Sequence, residues 1–122
     1  MRHPAVRATV EALQQFRFQI TSEAELQEAV AAALATDGFK FEREVVLGPG
    51  DRIDFVVELD GCRVGIECKV KGSPAEILRQ VHRYVCHEQL AALILVTTRV
   101  RHAVPAMMNE KPVEILRVRG LA

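Results

Sequence analysis

The sequence has no apolar run as long as the roughly 18 residues of a membrane-spanning helix, so we expect no membrane partner. Its first residues, MRHPAVRATVEALQQF, lack the apolar centre of a secretory signal. The three cysteines, Cys62, Cys68 and Cys86, lack the spacing of a zinc finger or an iron–sulfur centre, and we interpret them as reduced structural thiols. Together these absences favour a cytoplasmic protein.

An excess of charge of either sign is also absent, because 16 lysines and arginines balance 16 acidic residues. This balance argues against a generally basic protein that coats nucleic acid, but it allows a local basic face. The 122 residues contain no internal repeat and suit a single domain, 1–122. We place its core at about 21–98, with an N-terminal helical extension at 1–20 and a C-terminal extension with a short strand at 99–122.

Three segments have the pattern of a helix. Residues 4–18 carry apolar side chains at three- and four-residue steps: Val6, Val10, Leu13 and Phe16. The segment TSEAELQEAVAAALATDG has Thr21 or Ser22 as N-cap, a capping-box glutamate and a closing Gly38. Its apolar stripe is Leu26, Val30, Ala33 and Leu34. In GSPAEILRQVHRYVCHE, Ser73 is the expected N-cap and a proline occupies the first helical position.

Five segments are predicted strands: 39–47, 52–59, 62–70, 90–98 and 113–119. The GPGD turn lies between the first two and lacks the Gly-Lys-Ser/Thr of a phosphate-binding loop. Asp60-Gly61 is a strong signal for a two-residue hairpin turn. LAALILVTT is apolar at successive positions, which is typical of a strand buried on both faces. The order of these elements predicts an α/β fold with a central mixed sheet flanked by helices.

Three charged residues interrupt the apolar hairpin strands. Glu67 and Lys69 are two residues apart, so they share a face and Cys68 points to the other. If the turn has two residues, Asp54 lies directly opposite Glu67. Two adjacent carboxylates resist ionising together, and a hard cation such as Mg²⁺ relieves that cost. The alternative is that the three charges form a solvent-facing ladder on a half-exposed hairpin.

The sequences RIDF and IECK, which contain these charges, resemble the motif of the PD-(D/E)XK nuclease superfamily. Ile53 stands where the motif usually has proline. The segment QVHRY, which runs from Gln80 to Tyr84, matches the Q-x-x-x-Y signature of the branch that includes Holliday-junction resolvases and recombination exonucleases. The resemblance covers residues 21 to about 98. It implies a restriction-endonuclease-like αβββαβ core.

The resemblance also implies roles for individual residues. Asp54, Glu67 and the backbone carbonyl of Cys68 would bind Mg²⁺ or Mn²⁺, and Lys69 would be the catalytic base or would position water. Many members carry a further glutamate on the first core helix. Here Glu23, Glu25 and Glu28 compete for that role, and Glu23 falls on the side of the apolar stripe. The alternative for Glu23 is a favourable interaction with the helix dipole.

The third helix carries the remaining candidates. Gln80 and Tyr84 are one turn apart and should lie at the edge of the buried face, near the metal. Arg79 and Arg83 lie further round, where they could contact nucleic-acid phosphates, as could Gln80; a solvated face is the alternative. We interpret the four histidines as surface residues: His3, His82, His87 and His102.

The pattern predicts a metal-dependent nuclease that hydrolyses DNA phosphodiester bonds. The small size favours a structure-selective or weakly specific endonuclease, with a homodimer as one way to address two strands. Two alternatives are a nuclease-like module that binds DNA or protein without cutting, and an effector that cleaves RNA. Metal-assisted hydrolysis does not itself read the 2′-hydroxyl that distinguishes RNA from DNA.

Overall fold

The computed structural model of the protein describes residues 3–15 and 20–119. Over these ranges the chain forms three helices, α1 Pro4–Gln14, α2 Glu23–Thr36 and α3 Pro74–Val85. The same ranges contain six strands, β1 Lys40–Gly48, β2 Asp51–Leu59, β3 Cys62–Lys69, β4 Ala92–Thr97, β5 Met107–Met108 and β6 Lys111–Arg117. The predicted α/β class is therefore confirmed.

The strands form one mixed sheet in the order β1-β2-β3-β4-β6-β5. The first three strands are antiparallel neighbours, β4 is parallel to both β3 and β6, and β5 pairs antiparallel with β6 at the edge. As predicted, β4 is interior and every one of its residues is buried. The two-residue strand β5 was not predicted, because so short a segment has no period to detect.

Helices cover both faces of the sheet. One apolar cluster lies beneath α1 and α2 and includes Phe55, Ile66 and Ile94 from the sheet. A second cluster lies beneath α3 and includes Leu93 and Leu95 from β4. Each face of the sheet therefore has its own core, and β4 contributes alternate residues to both.

Helix α1 belongs to the core, which corrects its assignment to an extension. Val6, Val10 and Leu13 each expose at most 1% of their surface and pack in the cluster beneath α1 and α2. The sequence shows the apolar stripe of this helix but not the surface that it covers. The described helix ends at Gln14, and Phe16 and the remainder of the predicted helix lie outside the described residues, apart from the C-cap Gln15.

Helix α2 and the β2–β3 hairpin follow their sequence signals. Ser22 is the N-cap of α2, since its hydroxyl accepts the Glu25 amide at 3.1 Å. The predicted apolar stripe of α2 is fully buried. Both Asp60 and Gly61 adopt positive φ, as a tight two-residue turn requires. The resulting register pairs Leu59 with Cys62 and continues to Phe55 and Ile66.

We expect Leu13→Ala to lower the free energy of unfolding by about 2–5 kcal/mol, because it leaves a cavity where α1 meets the sheet. Exposed Gln14 on the same helix provides the control, and Gln14→Ala should change stability by less than about 0.5 kcal/mol. Urea denaturation of both variants measures the difference. Equal stabilities would show that α1 does not contribute to the core.

Candidate functional site

Asp54 and Glu67 meet where the β2–β3 ladder ends. The last regular partners of the two strands are Phe55 and Ile66. Immediately beyond them, the Asp54 amide donates to Glu67 Oε1 at 3.2 Å, and the Cys68 amide donates to Asp54 Oδ2 at 2.9 Å. Each carboxylate therefore accepts a backbone N–H from the opposite strand. This exchange places the two acids side by side, close to the opposition that the sequence predicts.

Burial sets the ionisation of both acids. Glu67 exposes only 3% of its surface. Its burial and then the Asp54 charge raise the pKa of Glu67 from 4.5 to about 8, against the lowering effect of Lys69. Burial also raises the pKa of Asp54. The hydrogen bond from the Cys68 amide lowers this pKa, and the Glu23 charge raises it further. The pair therefore favours the binding of a proton or a cation.

Lys69 supplies a positive charge to this pair. Its Nζ lies 3.5 Å from Glu67 Oε2, which confirms that the two side chains share a face of β3. Cys68 points the other way, into the apolar cluster beneath α2, as predicted. Burial raises the pKa of the Cys68 thiol well above its ordinary value, so the group stays a neutral thiol. Its backbone, not its sulfur, is thus the part of Cys68 that belongs to the site.

The three glutamates of α2 have separate partners. The Glu23 carboxylate accepts the Val70 amide at 3.4 Å, at the end of β3. Glu25 bonds the hydroxyls of Thr21 and Ser22 at the helix start. Glu28 pairs with Arg43 at 2.8 Å, and this guanidinium lowers the pKa of Glu28. The helix geometry therefore directs Glu23 toward the site, as the apolar stripe indicates.

Glu44 is a site neighbour that the sequence does not reveal. It lies on β1 between the partners of Phe55 and Ile53, which puts it across from Asp54. Its φ of 54° is unusual for a residue other than glycine within a strand. Its carboxylate pairs with Arg52 at 3.2 Å, and its charge contributes to the raised pKa of Asp54. Strained backbone of this kind concentrates at functional sites.

Gln80 and Tyr84 form a chain of hydrogen bonds from α3 to β2. Gln80 Nε2 donates to the Tyr84 hydroxyl at 2.9 Å, and that hydroxyl donates to the Arg52 carbonyl at 3.0 Å. Burial and the Glu67 charge raise the pKa of Tyr84, so its phenol remains protonated. This chain ties α3 to the backbone two residues before Asp54. Tyr84 thus links α3 to β2 close to Asp54.

Arg79 and Arg83 occupy different environments. Arg83 Nε binds Asp51 at 2.9 Å, and His87 Nε2 lies 2.8 Å from the other Asp51 oxygen. His87 and Arg83 lower the pKa of Asp51. Both arginines line an apolar groove of about 510 Å³ beside α3, but in the described part of the chain Arg79 has no carboxylate partner. The surface assignment is wrong for His87, which is half-buried against the β1–β2 turn, a contact between residues distant in sequence.

The surface assignment is also wrong for His102, which is 1% exposed. Its Nε2 lies 2.9 Å from the Gly72 carbonyl, which can only accept, so Nε2 carries the proton. Nδ1 then accepts the Thr97 hydroxyl at 2.6 Å. His3 caps α1 by accepting the Ala5 amide at 3.1 Å. No sequence signal identifies these partners of His102, because Gly72 belongs to a loop 30 residues away and Thr97 closes β4 on the other side of a turn.

The donor set at the site fits a hard divalent cation. Asp54, Glu67 and the Cys68 carbonyl offer oxygen ligands only, and Mg²⁺ favours one or two carboxylates with water. Over residues 3–15 and 20–119, no group of three or more His, Cys, Asp and Glu side chains converges as a metal site. Within the same ranges, no helix is long and apolar enough to cross a membrane.

Comparisons with known proteins identify no family. No family model matches the sequence, and no curated protein matches it. One similar solved structure is the crystal structure of a protein of unknown function, AF1548, with 20% sequence identity and a TM-score of 0.46. The match covers 74% of this chain and 55% of that chain. A similarity of this degree carries no functional information.

We expect Glu67 to make the metal-free protein less stable as the pH rises. Its folded-state pKa of about 8 exceeds the ordinary 4.5, so the folded state binds this proton more tightly than the unfolded state. The stabilising contribution is complete below pH 4.5 and is lost as the pH rises through about 8. Glu67→Gln cannot ionise, and its melting temperature in EDTA should fall less over this range than that of the wild type.

Glu58→Gln is the matched control for this measurement, since Glu58 is a partly exposed acid on the neighbouring strand β2. This variant should keep the pH dependence of the wild type. If Glu67→Gln also kept the pH dependence of the wild type, Glu67 would not be the group whose ionisation lowers the melting temperature.

Proposed function

We propose that the protein is a metal-dependent nuclease that hydrolyses phosphodiester bonds in DNA, with a restriction-endonuclease-like core. The observation that carries the proposal is the pair of carboxylates, buried Glu67 and partly buried Asp54, held by each other's strands beside Lys69. The element order α2-β1-β2-β3-α3-β4 agrees with the αβββαβ order that the sequence resemblance implies. Q-x-x-x-Y supplies the Gln80–Tyr84 contact next to the same strands.

Asp54, Glu67 and the Cys68 carbonyl would hold Mg²⁺ or Mn²⁺. When bound, the cation would offset the two negative charges and polarise a phosphoryl oxygen of the substrate. One oxygen of each carboxylate is engaged by a backbone amide, which fixes the orientation of the side chain. The second oxygen of each acid is left for the cation or for Lys69. Such preorganisation limits the reorganisation required when the substrate arrives.

Lys69 would orient the attacking water or take its proton, and would offset charge that develops on the phosphate. Its side chain is 19% exposed, so the ammonium reaches the solvent side of the buried pair. Glu67 Oε2 holds the ammonium on the same face as both acids. Lys69 therefore lies where the acids and an approaching phosphate meet.

Gln80 and Tyr84 would hold β2 in a fixed position against α3. The Tyr84 hydroxyl has both hydrogen bonds satisfied within the protein, one to Gln80 and one to the Arg52 carbonyl. A role in positioning Asp54 therefore suits Tyr84 better than proton transfer. Glu23 would likewise hold the end of β3 in position, through its hydrogen bond from the Val70 amide.

We expect Asp54→Asn and Glu67→Gln to reduce Mg²⁺-dependent DNA cleavage to background while the fold is retained. Each substitution preserves the shape of the side chain but removes a charge that the cation requires. Mg²⁺ should also raise the melting temperature of the wild type more than that of either variant, because a ligand specific to the folded state stabilises it. Glu58→Gln, on β2 but distant from Asp54, should behave as the wild type.

Lys69→Ala should lose about 10²–10⁴-fold in turnover while it keeps the Mg²⁺-induced rise in melting temperature. Cleavage by purified protein is measured on linear, branched and single-stranded DNA, and on RNA. Wild-type activity in either carboxylate variant would contradict the site. Cleavage of RNA alone would identify the RNA-directed alternative, and binding without cleavage would identify a non-cutting module.

The two arginines of α3 should differ in their contribution to DNA binding. Arg79→Ala should lower the salt slope of affinity by about one, as expected for a phosphate contact. Arg83→Ala should have a smaller effect, because Asp51 already neutralises this guanidinium at 2.9 Å. Affinity measured against salt concentration in Ca²⁺, which blocks turnover, separates the two. Unchanged slopes for both variants would mean that this face of α3 is simply solvated.

A further inference from the structure

A basic cavity of about 560 Å³ lies just beyond the end of β3. Three cations line it: Lys71 from the β3–α3 loop, and Arg99 and Arg101 from the loop after β4. Among residues 3–15 and 20–119, no acidic one lines it. In the described part of the chain none of the three cations forms an ion pair with a carboxylate. The cavity therefore presents uncompensated positive charge, which favours an anionic ligand.

The walls of this cavity are held by buried contacts. His102 joins its two loops, since it donates to the Gly72 carbonyl and accepts the Thr97 hydroxyl. Arg117 donates to the His102 carbonyl at 2.7 Å, which fixes the loop from β6. The Arg99 amide donates to Thr97 Oγ1 at 3.0 Å. The spacing of the cations thus depends on a buried histidine, not on the loops alone.

The three cations are of the kinds that bind phosphate, and one of them has an anchored orientation. Arg99 Nε donates to the Val70 carbonyl at 2.6 Å, which anchors one edge of its guanidinium at the cavity. Lys71 and Arg101 are exposed. Arginine and lysine are the side chains that most often contact phosphate oxygens, the former through its planar fork.

The cavity lies close along the chain to Lys69 of the carboxylate site. Lys69 pairs with Thr97 in the sheet, and its carbonyl accepts the Thr98 amide at 3.3 Å. Lys71 follows Lys69 by two residues, and Arg99 follows Thr97 by two. A nucleic-acid strand with one phosphate at Asp54 and Glu67 would therefore meet the cations of the cavity with a second phosphate, in the direction of the β3 end.

We propose that Lys71, Arg99 and Arg101 bind a nucleic-acid phosphate next to the one that is cleaved. This assignment rests on the proposed nuclease function and adds a substrate contact outside α3. Phosphate contacts fix the register and orientation of the strand without reading its sequence. The phosphate is either an internal diester or a terminal monoester, and both offer the same oxygens to the three cations.

Lys71→Ala and Arg101→Ala test the assignment, because both residues are exposed and neither forms a hydrogen bond within the described ranges. Arg7→Ala removes the same charge from the exposed face of α1 and is the control. The probes are short DNA duplexes and single strands, each with and without a 5′-phosphate, in Ca²⁺. We expect each cavity variant to bind about tenfold more weakly at low salt, with the slope reduced by about 0.9 on duplex DNA. Arg7→Ala should leave the affinity and the salt slope unchanged.

Wild-type cleavage in Mg²⁺ or Mn²⁺, measured in parallel, separates the two proposals. Weaker binding by both cavity variants supports the phosphate site, whether or not the wild type cleaves. If the wild type binds DNA but does not cleave it, only the nuclease proposal fails. A loss confined to 5′-phosphorylated DNA identifies the terminal monoester as the ligand. If the wild type cleaves and both cavity variants bind DNA as tightly as Arg7→Ala does, the phosphate site is overturned. A wild type that binds no nucleic acid overturns both proposals.

Discussion

The site depends on one exchange of hydrogen bonds between β2 and β3. Asp54 and Glu67 each accept an amide N–H of the opposite strand, in place of the regular pairing that ends at Phe55 and Ile66. This exchange holds two acids together in surroundings that disfavour their charge. The raised pKa values of both acids and the approach of Lys69 to Glu67 follow from that placement.

Elements from every layer support the two strands around this exchange. From one face, α2 brings Glu23 to the Val70 amide. From the other, α3 brings Tyr84 to the Arg52 carbonyl. At the end of the sheet, His102 ties the loop after β4 to Gly72. The geometry around Asp54 and Glu67 is thus supported by contacts on three sides.

Much of this could be predicted from local patterns, because the patterns report physical periods. The buried stripe of α2 and the Ser22 cap follow from the helical repeat and from unsatisfied amides at a helix start. The partnership of Asp54 with Glu67 follows from the two-residue turn and the strand repeat. The place of Glu23 on the side of the apolar stripe also follows from the helical repeat, although the sequence leaves Glu23, Glu25 and Glu28 open as the site glutamate. In each case the informative residues lie within one helix or one hairpin.

The sequence by itself therefore determined the α/β class, the hairpin register and the residues of the carboxylate site. Only the tertiary structure decided that α1 is part of the core, that Asp51 binds Arg83 and His87, and that His102 is buried. The physical reason is the distance along the chain. Local periods are set by backbone geometry that every residue shares, whereas these contacts join loops and helices that meet only when the sheet has formed and the helices have packed on its faces.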